Sequence, residues 1–79
     1  MFKNKYADGS LNICGYNIAI LRKNIKISQR ALADKLQLLG LDLSKNAIQQ
    51  IESGSRFVTD IELKTFAKAF EISVVELLK

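Results

Sequence analysis

The chain is expected to fold as an all-α domain of five short helices, and three observations carry that expectation. Apolar residues recur at spacings of three and four along most of the length, which is the signature of one-sided helix burial. Proline is absent, so nothing interrupts that period. Ser28, Ser44, Thr59 and Ser73 stand where helix N-caps are needed, and Gly40 and Gly54 stand where helices must stop. With 79 residues, 48% of them apolar, the composition is that of one globular domain near the lower size limit for independent folding.

Residues 1–10, with Lys3, Lys5 and Asp8 among Phe2 and Tyr6, show no sustained period and are expected to form a flexible N-terminal arm ahead of a domain spanning 11–79. The first helix is expected from Leu11 or Asn12 to Asn24. Its apolar stripe is Cys14, Ile18, Leu21 and Ile25, and Arg22, Lys23 and Lys26 gather at its C-terminal end. Ser28 caps the second helix, which buries Leu32, Ala33, Leu36 and Leu39 and ends at Gly40. Leu41, Asp42 and Leu43 then lead to Ser44, the cap of the third helix, which runs from Lys45 to the stop at Gly54. Residues 55–58 form a loop. Thr59 and Glu62 make a capping box for the fourth helix, which runs to Phe70 and buries Leu63, Phe66, Ala67 and Phe70. Ser73 and Glu76 make a second box for a short fifth helix carrying Val74, Leu77 and Leu78.

The third helix is the most informative element. Ile48 and Ile51, with Ala47, take its inward side and leave Lys45, Asn46, Gln49 and Gln50 outward. A helix built only for solvation would show pairs of Glu and Lys. This one shows three amides and one cation. An Asn or Gln amide can hold the edge of adenine with two hydrogen bonds, and Lys reaches guanine or a phosphate.

Charge points the same way. The net charge is +4, and residues 1–56 hold nine Lys/Arg against four Asp/Glu, a net of +5, whereas residues 57–79 hold three against four, a net of −1. The positive charge therefore lies with the amide-rich helix, as a polyanion partner requires. Several classes are disfavoured. One Cys and no His leave neither a disulfide framework nor the usual zinc ligand sets, so no metal and no cofactor is expected. Catalysis lacks a His base, and Cys14 reads as a small core residue. No apolar run approaches the ~18 residues of a membrane span, and the start lacks a signal-peptide core, so a cytoplasmic, non-membrane protein is expected.

Three segments taken in order resemble the Cro and lambda-repressor-like helix-turn-helix family, also called the XRE family. LRKNIKISQRALADKL, residues 21–36, looks like the family's first helix, turn and second helix. NAIQQIESGSR, residues 46–56, looks like its recognition helix, and LKTFAKAFEISVVELL, residues 63–78, like its last two helices. The resemblance implies a compact five-helix lambda-repressor-like domain whose helix-turn-helix is formed by the second and third helices. It implies base contacts from Lys45, Asn46, Gln49 and Gln50, with Lys45 open between base and phosphate. It implies phosphate contacts from Gln29, Ser44 and Arg56, with Arg30 as a further phosphate ligand, and a structural ion pair between Arg22 and Glu52. One departure is plain: the family's usual Gly after the second helix is Gln37 here, and about five extra residues, 37–41, lengthen the connection to the third helix. Val58 also stands where the family often has Pro.

The expected function is sequence-specific binding of double-stranded DNA by a homodimer, as a small repressor-type regulator. The rival is a protein-interaction module, such as an antitoxin-like or adaptor domain, on the same scaffold. The outward side of the third helix lacks the aromatic or apolar anchor such a module needs.

Overall fold

The computed structural model describes residues 9–79. They form α1 (Gly15–Asn24), α2 (Gln29–Leu38), α3 (Lys45–Glu52), α4 (Asp60–Phe70) and α5 (Val74–Leu77), with no strand among the described residues. Apart from Gly9 and Ser10, the expected N-terminal arm lies outside them.

Local chemistry starts and stops these helices. The Ser28 hydroxyl accepts the Ala31 N–H at 3.0 Å, and the Ser44 hydroxyl accepts the Ala47 N–H at 3.1 Å. Thr59 and Glu62 form the complete reciprocal box, 3.1 Å one way and 3.0 Å the other. The second expected box is half formed: Ser73 accepts the Glu76 N–H at 3.3 Å, but the Glu76 carboxylate turns instead to the Lys79 ammonium at 2.9 Å. At the end of α2, Gly40 has φ +91° and the Leu41 N–H reaches back to the Leu36 carbonyl at 2.9 Å. At the end of α3, Gly54 has φ +80° and the Ser55 N–H reaches the Gln50 carbonyl at 2.8 Å. Both are left-handed stops of the kind glycine adopts without strain. The same wrap-back ends α1 and α4, but there Lys26 (φ +59°) and Glu71 (φ +56°) carry it at a cost of about 1 kcal/mol each.

Ile18, Leu32, Leu36, Ile48, Ile51, Phe66 and Leu77 are fully buried, one or two from each helix, with Cys14, Leu43, Ala67 and Ala69 beside them. In the lengthened α2–α3 connection, Leu43 is buried and Leu41 packs against the core after Gly40, whereas Leu38 is left exposed.

Three expectations need correction. First, α1 begins at Gly15, after Cys14 and without a side-chain cap, and the Asn12 side-chain oxygen accepts the Gly15 N–H at 2.8 Å. Second, Ile25 is 48% exposed: it sits past the last turn of α1, where the chain turns left-handed at Lys26. Third, Leu39 is 38% exposed for the matching reason at the end of α2. The start of α1 is also where its backbone passes close to that of α3. A Cβ on Gly15 would run into the Ile51 carbonyl oxygen and come within 2.7 Å of the Asn12 side-chain oxygen.

Candidate nucleic-acid interface

Helix α3 packs on α1 and α2 through Ile48 and Ile51, which have no exposed surface. At 100° per residue, Lys45, Asn46, Gln49 and Gln50 occupy an arc of about 140° centred opposite those two isoleucines. All four are exposed, and their side chains make no hydrogen bond among the described residues. Two half-buried amides on other elements show the contrast. The Asn12 amide donates to the Ile51 carbonyl at 3.0 Å and the Arg56 carbonyl at 2.7 Å. Asn17 donates to the Leu77 and Lys79 carbonyls at 2.8 Å each, tying α1 to the C-terminal end. Inward-facing amides are consumed by structure, while those of α3 are grouped and unspent.

Glu52 fixes the back of α3. Its carboxylate receives the Arg22 Nε–H at 2.7 Å and an Nη2–H at 3.0 Å, and the Gln29 amide donates to it at 3.0 Å. Arg22 also donates to the Ile27 carbonyl at 2.9 Å. One carboxylate thus joins α1, α2 and α3, and the two ionic side chains are only 12% and 8% exposed. The hydrogen bonds to Glu52 raise the Arg22 guanidinium above its ordinary value. They also neutralise the one acidic residue of α3.

Around the amide face, Ser44 and Arg30 are exposed, and Arg30, Ser44 and Lys45 line one shallow cleft of about 220 Å³ between α2 and the start of α3. Neither α2 nor α3 has an acidic residue in its first turn, so the partial positive charge of both N-terminal ends is uncancelled. Gln29 is half-buried with its amide turned to Glu52, which leaves one N–H and its carbonyl oxygen unspent.

The guanidinium of Arg56, expected at a phosphate, is directed elsewhere. It donates to both Glu62 oxygens, at 3.0 and 3.1 Å, and to the Phe57 carbonyl at 3.1 Å. Glu62 is buried. Burial pushes its carboxyl up, but the Arg56 and Thr59 hydrogen bonds and the Arg56 charge outweigh that and hold it below the usual carboxylate range. The same bonds raise Arg56 above its ordinary value. Sequence reasoning treated Glu62 only as a cap and passed over Asn12 and Gly15 as supports of α3. Helical spacing carries no signal for them, since each partner lies outside its own helix.

Cys14 is buried, and burial pushes its thiol up, which disfavours the thiolate. Among the described residues there is no group of three or more metal-ligating side chains, and no helix is long and apolar enough to cross a membrane.

A family model described as helix-turn-helix matches residues 18–77. No curated protein and no solved structure matches the chain.

Proposed function

From the premise that the chain belongs to the Cro and lambda-repressor-like helix-turn-helix family of DNA-binding regulators, we propose that it binds double-stranded DNA sequence-specifically as a small cytoplasmic repressor-type regulator. The observation that carries this reading is the grouped, unbonded amide face of α3, held from behind by the Arg22–Glu52–Gln29 clamp. In this reading α3 enters the major groove, with Asn46, Gln49 and Gln50 on base edges and Lys45 on a base or a phosphate. Arg30, Ser44 and the free N–H of Gln29 take phosphates and set register without reading sequence. Arg56 joins them only through the guanidinium hydrogens that Glu62 leaves over.

One such domain covers few base pairs, so specificity calls for a two-fold homodimer on half-sites roughly 34–36 Å apart. Val75, Leu78 and Phe57 are 66%, 40% and 50% exposed on the near-neutral part of the chain and are the candidate dimer residues.

The test is selection of bound sequences from a random duplex library, with the best sequence titrated against a scrambled one at two salt concentrations. The expected result is an enriched palindrome bound far more tightly than scrambled DNA, with affinity falling steeply with salt. Weak binding with no enriched sequence overturns the reading in favour of a protein-interaction module.

A further inference from the structure

We infer that the operator half-site is read mainly through adenines, at their N7 and N6-amino edge, and that methylation of adenine N6 within it releases the protein. This rests on the major-groove reading above and adds which bases that groove presents.

An unbonded carboxamide offers one donor and one acceptor in a plane. Adenine offers N7 as acceptor and a hydrogen on N6 as donor in the groove, and satisfies both. Guanine presents two acceptors there, so an amide on it leaves its own oxygen unmatched. The other bases find little on this face. Cytosine, a donor, is read by carboxylates, and the sole carboxylate of α3 is taken up by Arg22 and Gln29 behind the helix. Guanine is read by Arg or Lys, and Lys45 is the one cation on the arc. The thymine methyl is read by small apolar side chains, and Ala47 is turned toward the core. The Ser53 hydroxyl, at the end of the arc, donates to the Gln50 carbonyl and pairs with the Ser55 hydroxyl. What remains are three amides on one face. A methyl on N6 replaces the hydrogen that points into the groove, so it removes the donor the amide oxygen needs and fills the space it would occupy.

The experiment uses the operator recovered by selection from unmethylated DNA. Its half-site adenines are replaced one at a time by N6-methyladenine or by 7-deazaadenine, which lacks the N7 acceptor. Binding is followed by fluorescence anisotropy at fixed salt. Each contacted adenine is expected to lose on the order of ten-fold in affinity under either change, while scrambled duplexes bind equally with and without methyl groups. Asn46→Ala, Gln49→Ala and Gln50→Ala, all surface changes, are each expected to erase the methyl penalty at one adenine. An operator that binds equally well when methylated overturns the inference and leaves sequence-specific binding standing. So do selected half-sites without adenine on either strand, and a penalty undiminished in all three variants. Absence of any enriched sequence overturns both.

Discussion

The molecule uses the same device twice, to different ends. Arg22 and Arg56 each hold a glutamate with two hydrogen bonds, and each glutamate takes one more from a neighbour, Gln29 in the first case and the Thr59 N–H in the second. The first pair spans 30 residues and joins three helices behind α3; the second spans six and fastens a loop to the start of α4. Their exposure differs accordingly, 12% and 8% for the first pair against 32% and 10% for the second. An ion pair has a different task at each place. The first sets the position of the amide face of α3. The second gives a buried carboxylate a partner and lets the chain turn into α4.

The largest effect belongs to a third support of α3, independent of either pair. Gly15→Ala is expected to cost roughly 4 kcal/mol or more, because the added carbon meets the backbone of Ile51 and neither helix can yield without disturbing the core. That approaches the whole stability of a domain this size, on the order of 5 kcal/mol. Urea unfolding checks it, and a cost under about 1 kcal/mol would mean that α1 can slide on α3 and that the first clamp alone locates α3.

Arg22→Ala breaks that clamp directly. It leaves Glu52 nearly buried with only Gln29 as partner, at a cost of about 3 kcal/mol. The folded fraction is expected to keep most of its preference for operator over scrambled DNA, since Arg22 is engaged with Glu52 and the Ile27 carbonyl and is not part of the amide face. An unchanged melting temperature with impaired binding would reverse the assignment and make Arg22 a DNA ligand.

Glu62→Gln tests the second pair and carries a pH signature. The Glu62 carboxyl titrates below its ordinary value in the folded chain, so its contribution is fully present above the unfolded value, near 4.3, and is lost as pH falls through the folded one. The variant is expected to be about 1–2 kcal/mol less stable at pH 7. Its deficit relative to the parent should hold to about pH 5 and shrink below that. The ratio of operator to scrambled-DNA affinity should not move. A deficit that persists undiminished into acid would mean that packing of the side chain, not its charge, is what Arg56 and Thr59 hold in place.

These pairs also show where sequence was enough and where it was not. Ser28, Ser44, Thr59, Gly40 and Gly54 act within a few residues of themselves, so their caps and stops could be read from spacing. The added residues before α3 were readable for the same reason, since Gly40 stops α2 and the apolar Leu41 and Leu43 have only the core to go to. Arg22 and Glu52 were paired through a family resemblance, since nothing in a 30-residue separation announces contact. The Arg56–Glu62 pair was not legible because Glu62 lies six residues on, across a loop, where no helical period connects them. Asn12 and Gly15 were missed because their work is done against the far end of another helix. The start of α1 was set too early because no capping side chain marks it: Cys14, at its N-cap, makes no side-chain bond.

The smallest effect on folding is expected on the open face of α3. Gln49 lies on the open side of α3, exposed and without a hydrogen bond, so Gln49→Ala is expected to change stability by no more than about 0.5 kcal/mol. Its effect is expected entirely in recognition: operator affinity falls by roughly 1–3 kcal/mol and scrambled-DNA affinity holds, because base contacts specify and phosphate contacts do not. Anisotropy titrations on both duplexes, with a melt of the free protein, separate the terms. Equal losses on operator and scrambled DNA would place Gln49 on the backbone with Arg30 and Ser44. The open face would then begin at Asn46 and Gln50, on the column of α3 farther from Glu52.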